Sequence, residues 1–143
     1  MKIRLVMLGK TRRLEVRGLV DDYVRRIGHY SEIEVNELRY ESPAALRKLK
    51  IEPGAVVVLL DAAGKQYTSQ TFARWIGDLR DRGVRELCFY CGAAGGFPTQ
   101  LSSGSTQRIS LSTLTMPHEF ARAVLAEQIY RAFAILAGHP YPK

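Results

Sequence analysis

Apolar and polar residues follow two rhythms along this chain, a strand-like one and a helix-like one, and they alternate. Ile3-Arg4-Leu5-Val6-Met7-Leu8 predicts a first strand, closed by Gly9. Residues 14–27 predict a helix, with Leu19, Val20, Tyr23, Val24 and Ile27 toward one side. Ile33-Glu34-Val35-Asn36-Glu37-Leu38 reads as a weaker, acidic strand, and Ser42-Pro43 opens a short helix through Leu49. Pro53-Gly54 then turns the chain into Ala55-Val56-Val57-Val58-Leu59-Leu60. That unbroken apolar run signals a strand buried on both faces, as in a parallel sheet. Asp61-Ala62-Ala63-Gly64-Lys65 is the loop at its carboxyl end. Thr68 or Ser69 caps a helix to about Asp81 that carries Phe72, Trp75, Ile76 and Leu79, and Gly83 ends it. Glu86-Leu87-Cys88-Phe89-Tyr90-Cys91 is the next buried strand, running into Gly92-Ala93-Ala94-Gly95-Gly96-Phe97. A helical turn over 98–101 and a short strand Arg108-Ile109-Ser110-Leu111 follow. The chain shows no internal repeat and no low-complexity linker. Strand and helix alternate almost throughout, which argues an α/β fold with a mainly parallel sheet.

The last third carries the densest pattern. Ser110-Leu111-Ser112-Thr113-Leu114-Thr115-Met116 is rich in hydroxyls and free of charge. Pro117 suits a first helical turn, where its missing N–H would be an orphan anyway, and Thr115 stands ahead of it as a cap. From His118 nothing breaks the helix before Gly138. Phe120, Ala123 and Val124, continued by Leu125, Ile129, Phe133 and Leu136, are apolar on more than one side, so the helix is expected to bury one side against a second copy of the chain. His118 and Arg122 are four apart and share the other face, and Glu127 and Arg131 form a helix-supporting pair. A polar loop at a helix start suits a ligand; taken alone, the stretch reads first as a capped helix with a solvated face.

With 143 residues the chain reads as one domain, 1–143. Its 21 basic and 14 acidic residues give +7, and Arg outnumbers Lys, which leans toward phosphate and nucleic acid. Residues 1–30 hold eight basic and three acidic groups, and Lys10, Arg12, Arg13 and Arg17 cluster at the first strand-to-helix turn. A solvated face and a phosphate-contacting patch stand level there. No apolar run reaches membrane-spanning length and the start lacks a signal-peptide core, so a cytoplasmic protein is expected.

Several motifs read as ordinary structure. Cys88 and Cys91 form C-x-x-C within a strand, where residues three apart point to opposite faces; buried structural cysteines are expected, with no disulfide framework and no metal site. The Gly92-Ala93-Ala94-Gly95-Gly96 loop lacks dinucleotide-binding spacing. His29, His118 and His139 are scattered, and no Ser-His-Asp triad can be read. Asp61 at a strand end suits either catalysis or a turn. In a parallel sheet ligands sit beyond the carboxyl ends of the strands. The loops after Leu60, at Gly92 and from Ser112 on are small, polar and uncharged near the strand ends, more like a site for an adenosine than a phosphate cradle.

Residues at both ends of that pattern carry a family likeness. The glycine loop at Gly92, the run from Leu111 to His118, Glu127-Gln128-Ile129-Tyr130-Arg131-Ala132-Phe133 and the terminal His139-Pro140-Tyr141 together resemble the large-subunit ribosomal RNA pseudouridine N3-methyltransferase family (RlmH type) of the SPOUT class, end to end. The resemblance implies an α/β sheet with a deep C-terminal trefoil knot, a homodimer, S-adenosylmethionine as donor, and a pseudouridine in helix 69 of 23S ribosomal RNA as acceptor, on the assembled ribosome. It implies cofactor binding by Leu60, Gly92, Leu111, Ser112, Thr113, Leu114, Thr115 and Met116, and a polar set of His118, Arg122, Tyr130, Arg131 and Tyr141. Lys10, Arg12, His118 and Arg131 are the expected RNA contacts. Arg122, Tyr141 and Lys143 are the expected catalytic groups: Arg122 or Lys143 steadies anionic charge as the acceptor imide loses its proton, and Tyr141 and Lys143 complete the site from a tail stiffened by Pro140 and Pro142. The chain departs from the family at Pro142, where members carry His, and at Ala93-Ala94 in the glycine loop. Pro142 keeps a second reading open, an RNA- or ribosome-binding module of the same fold without transfer activity; a nucleotide-binding α/β domain of other function rests on the loops alone.

Overall fold

The computed structural model describes residues 1–39, 44–45, 51–92, 97 and 107–141. Among these, five strands and three helices follow one another as β1 (Lys2–Leu8), α1 (Leu14–Ile27), β2 (Ile33–Leu38), β3 (Val56–Gln66), α2 (Ser69–Asp81), β4 (Glu86–Cys91), β5 (Gln107–Ser110) and α3 (His118–Leu136). The strands form one sheet in the order β2-β1-β4-β3-β5, and every pairing in it is parallel. The helix expected over 42–49, the turn expected over 98–101, most of the glycine loop after Gly92, and Pro142 with Lys143 lie wholly or largely outside the described residues.

Period-two geometry sorts the apolar strands onto two faces. Ile3, Leu5, Met7, Leu87, Phe89 and Cys91 point to the face that the helices cover. Val6, Leu8, Leu59, Cys88 and Tyr90 point to the other, where Ile51 and Phe97 meet them. Burial on both faces is why β1 and β4 read as near-continuous apolar runs. Cys88 and Cys91 fall on opposite faces, as their spacing predicts.

Each helix buries one stripe. On α1 it is Val16, Val20 and Ile27, with Leu19 left 51% exposed; the row toward the core runs 16-20-27 with half-buried Tyr23, and Leu19 lies about a fifth of a turn off it. A capping box between Thr68 and Thr71 starts α2, and its Gly77 lies so close to Leu136 that a Cβ would sit 2.9 Å from that side chain. On α3, which packs against both α1 and α2, Leu125, Ile129 and Phe133 are buried. Phe120 and Val124 remain 41% and 36% exposed. The helix ends where Gly138 takes a φ of +69°, a left-handed value that suits glycine just past a C-cap. Its start differs from expectation: Pro117 itself is the N-cap and Thr115 makes no cap bond, because Pro117 has extended backbone and His118 is the first helical residue.

One ion cluster ties the sheet together on the face away from the helices. Arg4 Nε donates to Glu86 Oε1 at 2.5 Å, its Nη1 donates to Glu34 and to Asn36, and the amide of Glu52 donates to Glu86 Oε2 at 2.9 Å. Burial alone would push the Glu86 carboxyl up; the Arg4 hydrogen bond, the Glu52 amide and the Arg4 charge outweigh it and hold the group below the usual carboxylate range. A lowered folded-state value supplies stability above the ordinary glutamate pKa that is lost as pH falls through the folded value. Arg4→Met strands a buried charge and is expected to cost about 3 kcal/mol at neutral pH. Urea titrations of both proteins from neutral to acidic pH check this: the gap between them should shrink below about pH 4 as Glu86 is protonated, and a gap independent of pH would contradict it.

Candidate functional site

The strand expected to stop at Leu60 runs on to Gln66, with an irregularity. β5 pairs with Leu60 through Ile109 and again with Lys65 through the same Ile109, so residues 61–64 bulge out of the ladder. Gly64 is what allows this: a Cβ there would lie 2.6 Å from the Arg108 carbonyl carbon and 2.7 Å from the Ile109 nitrogen. Asp61 holds the bulge, accepting the Ala63 amide at 2.9 Å and Arg108 Nη1 at 2.5 Å. The Ala63 bond, ahead of the Arg108 bond and charge, keeps its carboxyl below the ordinary range despite burial. Of the two sequence readings of Asp61, the structure fills the turn role.

Beyond the bulge a cleft opens between Leu60, Asp61 and Ala62 on one wall and Leu111, Ser112, Leu114, Thr115 and Met116 on the other, with Ala121 of α3 between them. The hydroxyl-rich loop is folded on itself: Ser112 Oγ accepts the Leu114 amide at 2.9 Å and Ser110 Oγ donates to the Ser112 carbonyl at 3.0 Å. Six of the eight residues expected to hold the cofactor therefore line one cleft. Thr113 is exposed and lies outside that lining, and Gly92 sits half-buried just past β4, the strand beside β3. Sequence reasoning did not place Ala62 and Ala121 here; both are small residues with no chemical signal of their own. The wall carries no basic side chain, and its one carboxylate is already paired with Arg108. Hydroxyls, backbone and apolar surface of this kind suit the nucleoside half of S-adenosylmethionine better than a phosphate chain. A second cleft, which shares Leu111, lies at the start of α2 between Tyr67, Ser69, Ile109 and Gln128.

The first turn of α3 joins this cleft to the basic loop between β1 and α1. Arg122, expected on a solvated face with His118, is instead fully buried. Its Nη1 donates to the Gly9 carbonyl at 3.0 Å and Thr11 Oγ1 at 2.8 Å, and its Nη2 to the Leu8 carbonyl at 3.0 Å. The turn at Gly9, with φ +94°, brings these oxygens together beneath the sheet end, where they would otherwise lack donors. Glu119, 8% exposed, accepts the amides of Arg12 at 3.1 Å and Arg13 at 3.0 Å. The Arg13 amide, with the Arg12 amide behind it, holds the Glu119 carboxyl below its ordinary value against burial. The sequence did carry a signal for this: 119, 122, 126, 129 and 133 fall on one helical stripe, so the two charges occupy core positions. Glu37 accepts the Thr11 amide at 2.6 Å and pairs with Arg17, which donates to the Thr11 carbonyl. Lys10 and Arg12 are left exposed, and their side chains make no hydrogen bond or ion pair among the described residues. His118 is half-buried and likewise makes no such bond among them.

The tail folds back along α3. Tyr141 Oη donates to Glu127 Oε2 at 3.0 Å and lies 3.1 Å from Tyr23 Oη, its ring edge-on to Tyr130 with Arg131 stacked at 4.5 Å. Arg131 pairs with Glu127 at 2.8 Å, as expected from their spacing. Burial, the two hydrogen bonds and the Glu127 charge raise the Tyr141 hydroxyl above its ordinary value, so it stays protonated at neutral pH. Glu127 is about 9 Å along the helix from Ala121 and on a different face, and Tyr141 is not among the residues that line the cleft. Lys143 lies outside the described residues.

A parallel α/β sheet with a cleft beyond its strand ends that carries no basic side chain, and a cationic loop beside it, has the build of a nucleotide-binding α/β domain. The profile described as "Predicted SPOUT methyltransferase" matches residues 1–142, and the chain belongs to that family. A protein of Koribacter versatilis named "Ribosomal RNA large subunit methyltransferase H" is 42% identical over 144 residues, covering 99% of this chain and 97% of the relative. Proteins with the same name in Geotalea daltonii and Gloeobacter violaceus are 40% and 38% identical over 151 residues, covering 99% of this chain and 99% and 98% of the relatives. Among the described residues no group of His, Cys, Asp or Glu is arranged to hold a metal ion, and no helix is long and apolar enough to cross a membrane.

Cys91, next to Gly92, is 2% exposed and Cys88 wholly buried, and burial pushes both thiols up to about 12. Thiolate is the reactive form, so the native protein is expected to resist an aromatic disulfide reagent at neutral pH and to react at both positions once unfolded. Rapid labelling of either cysteine without unfolding would contradict the burial described.

Proposed function

We propose that this protein transfers a methyl group from S-adenosylmethionine to N3 of a pseudouridine in helix 69 of 23S ribosomal RNA, acting in the cytoplasm on the assembled ribosome. The observation that carries the reading is one helical turn: α3 begins at the loop that lines the cleft with Leu60 and, within four residues, anchors the loop bearing Lys10 and Arg12. The full-length likeness to proteins named as large-subunit ribosomal RNA methyltransferases supports the substrate class.

The cofactor, when bound, supplies an electrophilic methyl on a sulfonium. Leu60, Gly92, Leu111, Ser112, Thr113, Leu114, Thr115 and Met116 hold and orient it, largely through backbone. Alignment of donor and acceptor does most of the work. Lys10, Arg12, His118 and Arg131 contact RNA, the two loop cations with phosphate. The imide N3 proton would pass to solvent water, N3 would take the methyl as the methyl carbon–sulfur bond breaks and a neutral thioether leaves, and Lys143 would steady the anionic charge. Tyr141 touches the nucleotide and takes no proton, its own hydroxyl hydrogen being donated to Glu127. Arg122, with its donors on carbonyl and hydroxyl oxygens of residues 8–11, serves the site through that loop. The reading includes one domain with a C-terminal trefoil knot.

The active form in this reading is a homodimer. Phe120, Val124, Leu114 and Leu14 stay exposed around the start of α3 and α1, and a second copy would cover them. Because Tyr141 lies outside its own chain's cleft lining, the second copy is also what brings it to a site. Sedimentation at micromolar concentration should give twice the 16.1 kDa chain mass. Removal of residues 141–143 should keep dimer and cofactor binding and cost transfer rate. A stable monomer defeats the dimer, and a truncated protein working at the full rate defeats the tail's role.

Transfer of labelled methyl from S-adenosylmethionine to ribosomes tests the activity, with mass spectrometry locating the product on the pseudouridine. Calorimetry should show S-adenosylhomocysteine binding that Gly92→Val abolishes, because a branched Cβ would stand where the ligand meets backbone. Ribosome binding without any transfer would leave the non-catalytic module as the better account.

A further inference from the structure

We infer that Glu119 and Arg122 are positioning residues for the RNA substrate, holding the loop over 9–13 so that Lys10 and Arg12 stand at a fixed place relative to the methyl-donor cleft. The inference rests on the reading that these two cations contact RNA.

Neither side chain reaches a macromolecule, since Glu119 is 8% exposed and Arg122 not at all. What they reach is the loop. Five of its groups end on them: the carbonyls of Leu8 and Gly9, the Thr11 hydroxyl, and the amides of Arg12 and Arg13. The Thr11 amide and carbonyl are met by Glu37 and Arg17. A loop held at so many points is fixed in place, and the exposed side chains of Lys10 and Arg12 make no hydrogen bond or ion pair among the described residues.

Stability alone is a weak account of this arrangement. Burying a guanidinium costs more than packing a methionine of similar volume, and Arg122 Nε has no acceptor at all. Its three bonds fix the loop's shape. Glu119 takes the Arg12 and Arg13 amides just ahead of α1, whose N-cap Arg13 makes no side-chain cap bond, so a carboxylate from another helix does the capping. Between the two on the same turn lies Ala121, which lines the cleft. One turn of helix therefore sets the spacing from methyl donor to phosphate contact, and an error of an ångström there costs rate or affinity steeply.

A double-mutant cycle on the full-length protein tests this, with ribosome affinity read by cosedimentation, independently of transfer, and with KM and kcat beside it. Glu119→Gln keeps the shape and one of the two amide bonds; it is expected to weaken ribosome affinity and raise KM about tenfold, with kcat and the S-adenosylhomocysteine Kd changed less than about twofold. Lys10→Ala with Arg12→Ala should weaken ribosome affinity by at least as much. All three changes together should be no weaker than the pair, because a clamp has nothing to position once the cations are gone. Multiplying losses, or wild-type ribosome affinity in Glu119→Gln, would overturn the inference alone. Wild-type affinity in the Lys10, Arg12 pair would overturn the RNA-contact reading and the inference with it. Arg122→Lys, which keeps the charge and loses the fork, carries the same cycle if Glu119→Gln fails to fold, as judged by its melting curve.

Discussion

A buried guanidinium near one end of the chain holds the backbone at the other. Arg122 bonds to residues 8, 9 and 11, more than a hundred positions away, and the site is organised around that contact. It forms only when β1 lies inside the sheet and α3 packs against α1. Parallel pairing and a C-terminal helix that closes on the first strand-to-helix turn both need long loops to close, so the contact carries a high loop-closure entropy cost. The sheet supplies the floor, and α3 joins the two functional loops above it.

The charge distribution follows the same logic. Most N-terminal cations are paired within the chain: Lys2 and Arg4 on Glu34 and Glu86, Arg17 on Glu37, Arg25 and Arg26 on Asp22. The acidic edge strand β2, odd as sequence, supplies two of those partners. Lys10 and Arg12 are left over at the loop the α3 turn clamps, so the excess positive charge there faces outward from one rigid place. For a polyanionic partner that is worth more than the same charge on mobile chain, since less entropy is lost on binding.

Local pattern was enough for most of the architecture. One unbroken apolar run and two near-continuous ones marked β3, β1 and β4 as buried strands, and punctuation by Gly9, Thr68, Gly83, Pro117 and Gly138 bounded the three helices. What depended on a distant partner stayed hidden. The extension of β3 past Leu60 needs β5, more than forty residues later, and an apparent loop of Asp61 to Gly64 gives no hint that the ladder resumes. Leu19 is as apolar as its neighbours, and only the packing of α1 decides that it faces out. Of the site, the family-like run from Leu111 to Met116 was legible as a ligand loop, yet its serines turn out to brace the loop itself. Arg122 was misread because a charge at helical spacing usually faces water; the oxygens that demand it inside come from Leu8, Gly9 and Thr11.

The most direct test is a crystal structure of the protein with S-adenosylhomocysteine bound. The account places the adenosine against the backbone of Leu60 and of residues 111–116, beside Gly92 and above Ala121, with the 9–13 loop still clamped by Glu119 and Arg122. Adenosine found in the cleft between Tyr67 and Gln128, or on the basic loop, would contradict it.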